Sequence, residues 1–276
     1  MKIFNRRINH ATRVKEKASI AAFFPYLSRT RAESVIYFNK KIDITNVTTF
    51  LNEKKKEGVK ISLFVLIVAA ISKTFTERPL LNRFVLGRRI YQRDVFDVSY
   101  VIKRNLTDEG EELLTTVAVT PDMSLKDIGA EMFRVAEELR QKEDDGLGDL
   151  MKLFGGLPRP VMKLLFAGIR FLDYHGRVPG FIRKELPFYC SVFISNLGSI
   201  GVDAPFHHLY ELGTTSIFLA IGKSQLTPVV NQKTGEVEVR RIVNLNFTAD
   251  ERICDGFYFA RSIEKFLYYI ENPHTI

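Results

Sequence analysis

Apolar and polar residues along this chain recur at two spacings, and the changes between them mark its elements. SVIYFNKKIDIT (34 to 45) has the β-branched and aromatic content of a strand. ITNVTTFLNEKKKEG then sets Val47, Phe50 and Leu51 at helical spacing and stops at Gly58. Ser62 is placed to cap a buried helix, SLFVLIVAAISKTFTE, that Pro79 ends, because proline has no amide to donate and disfavours helix in the residue before it. Strands are predicted at 84 to 91, 95 to 103 and 112 to 120. Ser124 and Asp127 form a capping-box pattern, with Asp in the usual place of Glu, ahead of the amphipathic helix SLKDIGAEMFRVAEELRQK. Strands return at 187 to 196, 216 to 223 and 237 to 250, with a turn through Gly235. A last helix carries Phe259, Ile263, Phe266, Leu267 and Ile270 on one face and ends at Pro273. No repeat or linker interrupts the pattern, so one α+β domain over residues 1–276 is expected, with helices packed on a mixed sheet.

One stretch breaks the pattern. From 143 to 185, and most clearly in LMKLFGGLPRPVMKLLFAGIRFLDYHGRVPGFIRK, short apolar pieces alternate with Gly, Pro and isolated cations. It reads either as a basic amphipathic surface for a membrane or partner, or as a pair of short helices covering the domain. The second is preferred, because Lys and Arg stems commonly lie along apolar surface, so membrane contact is not expected. ISLFVLIVAAI (61 to 71), flanked by Lys60 and Lys73, is also shorter than the roughly 20 residues of a span.

Composition narrows the function. With 276 residues and 46% hydrophobic content the chain can bury a sizeable core. Its net charge of +8 is spread among interleaved acids, which excludes the basic stripe of a nucleic-acid binder and suits an acidic small molecule. Cys190 and Cys254 are far apart and no secretory signal precedes them, so free thiols and a cytoplasmic location are expected. No cluster has metal-ligand spacing.

The candidate chemistry lies in FISNLGSIGVDAPF (193 to 206) and NLNFTADERICDGFYFARSIEKFLYYIENP (244 to 273). Together these resemble the two signatures of the catalytic domain of the 2-oxo acid dehydrogenase acyltransferase family, and CDGF is equally similar to chloramphenicol acetyltransferase, which shares that family's fold. The resemblance implies a chloramphenicol acetyltransferase-like sandwich in which mixed sheet is covered by helices. It also implies acyl transfer from a thioester, coenzyme A or acyl-CoA as co-substrate, and a homotrimer with sites between subunits. No lipoyl or subunit-binding domain can be fitted before residue 28, so no covalent lipoyl group is expected. In the family motif His-x-x-x-Asp-Gly, histidine removes the proton from the attacking thiol; here Glu251 holds its place. Ser195 falls on the serine that hydrogen-bonds the oxyanion. Asp255 falls on the aspartate that pairs with an arginine, and Gly256 on a glycine where a side chain would obstruct the turn.

Each residue also has a plainer reading. Glu251 could be a carboxylate paired to Arg252, and Ser195, beside Asn196, could bond backbone at a strand end. His207 and His208 could serve as a substitute base or be ordinary loop residues. Asp250 and Arg252 are expected to pair or cap, and Cys254 to be packed. Moving a proton from a thiol to histidine is uphill by ~2.7 kcal/mol and to glutamate by ~5.7 kcal/mol, so an untuned glutamate is the poorer base by about 3 kcal/mol. Burial recovers much of that gap by raising the carboxyl pKa. Two functions stay open: an acyltransferase using Glu251, and a non-catalytic trimeric scaffold of the same fold.

Overall fold

A computed structural model describes residues 7–8, 10–15, 20–59, 61–104, 111–141 and 154–276. Its frame is a six-stranded mixed sheet. The strands are β3 (Val35–Asp43), β6 (Asp97–Lys103), β7 (Glu112–Ala118), β8 (Val192–Asn196), β9 (Ile217–Val230) and β10 (Val237–Asp250). They lie in the order β3-β10-β9-β8-β6-β7, with β8 parallel to both neighbours and the other pairs antiparallel. A smaller antiparallel sheet is built from β1 (Arg7–Ile8), β2 (Ala11–Arg13), β5 (Arg89–Arg93) and β4 (Arg83–Leu86).

The period-2 pattern of the central strands sorts side chains onto two faces. Val192 and Ile194, Leu219 and Ile221, and Val243 and Leu245 face the main core. Four helices cover it: α2 (Thr45–Lys56), α3 (Leu63–Glu77), α4 (Leu125–Gln141) and α7 (Gly256–Glu271). The Val65 amide donates to Ser62 Oγ at 3.2 Å, so Ser62 caps α3 as its sequence predicts, and the helix stops two residues before Pro79. The capping box of α4 is also formed, with the Asp127 amide donating to Ser124 Oγ and the Ser124 amide to Asp127 Oδ2. On the opposite face Phe193, Phe218 and Ala220 pack with Cys190 and Leu209.

Three expectations are corrected here. The strand predicted over 84 to 91 is a hairpin of β4 and β5, turning at Gly87 and Arg88, both at positive φ. Its apolar alternation runs through the turn, and LGR was the available signal. In the irregular segment, residues 142–153 lie outside the described part. Beyond them stand a 16-residue helix, α5 (Arg159–Tyr174), and a single turn and a half, α6 (Gly180–Glu185). They do not cover the domain: Ile169 and Asp173 are the buried residues of α5, and α6 has none. The basic opening KIFNRRINHATRVKEK suits a surface arm by its sequence, yet β1 and β2 join a sheet in which Ile8 and Ala11 pack on Phe84 and Tyr91.

Candidate active site

β8 and β6 run side by side only from Val98–Tyr100 opposite Val192–Ile194. Beyond that register they part, although β6 continues to Lys103 and β8 to Asn196. The gap opens into a cavity of about 980 Å³. Ser195, Asn196, Tyr100, Phe193, His207 and Phe218 are among its walls, and Lys55 and Arg140 stand on its rim. Ser195 is thus the first β8 residue past the shared register on the Phe193 face. Its hydroxyl has no hydrogen-bond partner among the described residues. The backbone bond of the plainer reading is made instead by Ser199, whose Oγ donates to the Asn196 carbonyl at 2.7 Å.

The turn behind Ser195 is held rigidly. Gly198 and Gly222 touch back to back: a Cβ on Gly198 would lie 2.5 Å from the Gly222 carbonyl oxygen. A Cβ on Gly222 would meet Asp203 Oδ1 at 2.3 Å. Asp203 accepts two hydrogen bonds from Asn244 Nδ2, at 2.8 and 3.0 Å, and the Lys223 amide donates to the Val202 carbonyl at 2.9 Å. Spacing alone did not single out Asp203, because its partner stands on a strand 41 residues away.

Glu251 lies just past the end of β10, two strands across from Ser195. Ser195 is level with Ala220, and Ala220 with Asn246, five residues before Glu251 on β10. At ~3.3 Å per residue and ~4.8 Å per strand, the two sites stand roughly 20 Å apart in one subunit. The Glu251 amide donates to the Ser34 carbonyl at 2.9 Å. Arg252 does not pair with Glu251. It clasps Asp250, with Nε to Oδ1 at 2.8 Å and Nη2 to Oδ2 at 2.7 Å, while Nη1 donates to the Ser28 carbonyl at 3.0 Å. Both side chains are almost wholly buried. Behind them Arg31 is buried against the carbonyls of Glu211 and Gly213, at 2.8 Å each. Burial lowers its pKa, and the Asp250 carboxylate opposes that shift. Arg31 gave no sequence signal, since its partners are backbone carbonyls about 180 residues away.

Two expectations about the motif fail. The exposed Asp255 enters no ion pair among the described residues; it caps α7, accepting the Tyr258 amide at 2.8 Å. The buried arginine pair belongs to Asp250. Gly256 opens α7, but a Cβ there would meet nothing within 4 Å, so nothing in the subunit requires glycine. His207, considered as a substitute base, lines the Ser195 cavity and stacks on Phe218 with centroids 4.0 Å apart. Its Nδ1 donates to the His208 carbonyl at 2.7 Å, which leaves Nε2 as acceptor, and burial lowers its pKa. The exposed His208 is a loop residue stacked on His207. Both cysteines are free, and burial pushes the Cys254 thiol up to about 12. Among the described residues no group of His, Cys, Asp and Glu could hold a metal.

This architecture is the chloramphenicol acetyltransferase-like fold. A solved chloramphenicol acetyltransferase superposes with a TM-score of 0.55 at 12% identity, covering 93% of this chain and 96% of the other. A probable dihydrolipoamide acetyltransferase from Listeria monocytogenes superposes at 0.60 and 17% identity, covering 94% and 95%. Residues 190–276 match the family of 2-oxoacid dehydrogenases acyltransferase (catalytic domain), so the resemblance carried by FISNLG and DERICDGF holds for that stretch. Over 83 residues the chain is 39% identical to dihydrolipoyllysine-residue acetyltransferase component 4 of the chloroplastic pyruvate dehydrogenase complex of Arabidopsis thaliana. The matched part is 30% of this chain and 17% of that protein.

Proposed function

We propose that this protein is an acyltransferase working on thioesters, with coenzyme A or a carrier thiol as co-substrate and a site shared between neighbouring subunits of a homotrimer. The observation that carries this reading is the Ser195 hydroxyl, without a hydrogen-bond partner among the described residues, on the wall of a large cavity at the splayed ends of two parallel strands. A thiol attacking an acyl carbonyl there builds negative charge on the carbonyl oxygen, and Ser195 is placed to donate to it. Glu251 of the next subunit receives the thiol proton and returns it to the leaving group. The roughly 20 Å between Glu251 and Ser195 in one chain supports a site that needs two chains. Lys55 and Arg140 on the rim suit a co-substrate carrying phosphates.

One observation favours a different base within the same reaction. His207 shares the cavity with Ser195 inside a single subunit, and its lowered pKa keeps Nε2 free to accept a proton at neutral pH. Acyl-CoA thioester exchange with a thiol acceptor tests the proposal. Ser195→Ala should cut the rate about 10²- to 10³-fold, as removal of one oxyanion donor does. An unchanged rate refutes the oxyanion role. Absence of any transfer by the wild-type protein favours the non-catalytic scaffold.

A further inference from the structure

The helix α5 carries two apolar stripes, and the protein uses one. Ile169 and Asp173 hold its inner edge: Asp173 accepts the Tyr189 hydroxyl at 2.7 Å and the Gly213 amide at 3.2 Å. On the far side Val161, Leu164, Gly168 and Phe171 recur at i, i+3, i+7 and i+10, which aligns them in one row along the helix. Leu164 is 76% and Phe171 64% exposed. Arg159, Lys163 and Arg170 lie together on the polar side of the helix, away from that row, and Arg177 follows the helix; all four are exposed and enter no ion pair among the described residues. The one acid of α5, Asp173, is turned inward.

A second exposed apolar element stands near the end of α5. The Gly87–Arg88 turn packs on the backbone of Tyr174 at the end of α5, and the Arg88 guanidinium lies over the Tyr26 ring of α1 (Ile20–Leu27), 5.7 Å from its centroid. Phe23, Tyr26 and Leu27 of α1 are exposed.

We propose that the outer face of α5, extended by α1, is a docking surface for an anionic lipid bilayer, with α5 lying in the plane of the interface. The charge selects this occupant. A two-fold contact with a second copy would set these cations against themselves, whereas a bilayer with anionic headgroups neutralises them while its acyl boundary takes up Leu164, Phe171 and the α1 side chains. An apolar row on one face and cations on the polar face are the arrangement of such interfacial helices. Among the described residues no helix is long and apolar enough to cross a membrane, which suits a helix that lies on one. The expectation of no membrane contact rested on helices that cover the domain, and α5 leaves this face uncovered. The proposal does not depend on acyl transfer.

Flotation of the full chain with vesicles tests it. Binding is expected to vesicles of phosphatidylcholine and phosphatidylglycerol in equal parts, to weaken as salt rises, and to be lost with phosphatidylcholine alone. At about 1 kcal/mol per cation near the surface, Lys163→Gln with Arg170→Gln should weaken binding roughly thirtyfold. Leu164→Gln with Phe171→Ser should weaken it at least about tenfold. Both pairs are exposed, and an unchanged unfolding temperature shows that each variant folds. No binding to anionic vesicles, equal binding to both vesicle types, or variants that bind as wild type would overturn the proposal. So would loss of self-association in Leu164→Gln with Phe171→Ser, observed in protein that does not float with vesicles; that result assigns the face to a second copy.

Discussion

Replacing Arg252 by methionine is the perturbation whose size the structure sets most closely. The Asp250 carboxylate is fully buried and receives both arms of the Arg252 fork, at 2.8 and 2.7 Å. Methionine keeps much of the side-chain volume and leaves Asp250 with the amide of residue 252, which donates to Oδ1 at 3.1 Å, and with the field of Arg31. It also frees the Ser28 carbonyl. Breaking a buried pair by removing one partner costs about 3–5 kcal/mol, since the remaining charge stays buried without compensation. For a chain of this size that corresponds to a fall in unfolding temperature of roughly 6 to 20 °C. Circular dichroism during thermal and urea unfolding, at fixed protein concentration, measures it. Asp250→Asn with Arg252→Met should cost less than the sum of the single changes, because neither variant group then leaves an isolated charge. A loss under about 1 kcal/mol for Arg252→Met, or strict additivity in the double variant, refutes the claim that this pair holds the turn on which Glu251 stands.

Further predictions follow from the same geometry. Gly198→Ala places a Cβ 2.5 Å from the Gly222 carbonyl oxygen and should displace the turn behind Ser195, lowering any transfer rate by an order of magnitude or more, whereas Gly256→Ala should leave subunit stability within about 0.5 kcal/mol of wild type. Cys254 at about 12 and the buried Cys190 should resist thiol reagents at neutral pH in native protein and react once it is unfolded; rapid labelling of the native protein contradicts their packing. The pKa of His207 is lowered on folding, so its neutral form contributes stability that is present above its unfolded pKa near 6.5 and lost as pH falls through the lower folded value. His207→Gln should therefore flatten the acid limb of the stability profile; if His207 is the base, the same change abolishes transfer, and if Glu251 is, transfer persists.

The two signatures were legible because each is a local arrangement: FISNLG ends a strand and starts a turn, and DERICDGF ends a strand and starts a helix. Helix α3 was legible for the same reason, since Ser62 and Pro79 punctuate one apolar run. What the sequence did not disclose depends on distant partners. The cavity arises where β6 and β8 lose register, a property of pairing between segments about 90 residues apart. Arg31 and Arg93 are buried against carbonyls from remote loops, and no spacing rule marks such cations. The arginine pair was sought at Asp255 and is found at Asp250, because a residue at the helix start has a nearer use for its carboxylate as a cap. In α5 the interrupting Gly, Pro and cations hid a continuous 16-residue helix, and its packed side is set by Asp173, whose partners stand on other elements.

Subunit mixing tests the central claim most directly. Ser195→Ala and Glu251→Ala homotrimers should each be inactive or nearly so in thioester exchange. Dissociated, mixed in equal amounts and reassembled, they should form some interfaces that carry an intact Ser195 from one chain and an intact Glu251 from its neighbour; random assortment gives about one interface in four. Recovery towards a quarter of wild-type activity is expected, appearing only after reassembly. Two inactive parents that stay inactive after mixing, with mixed trimers demonstrated, would contradict a site shared between subunits.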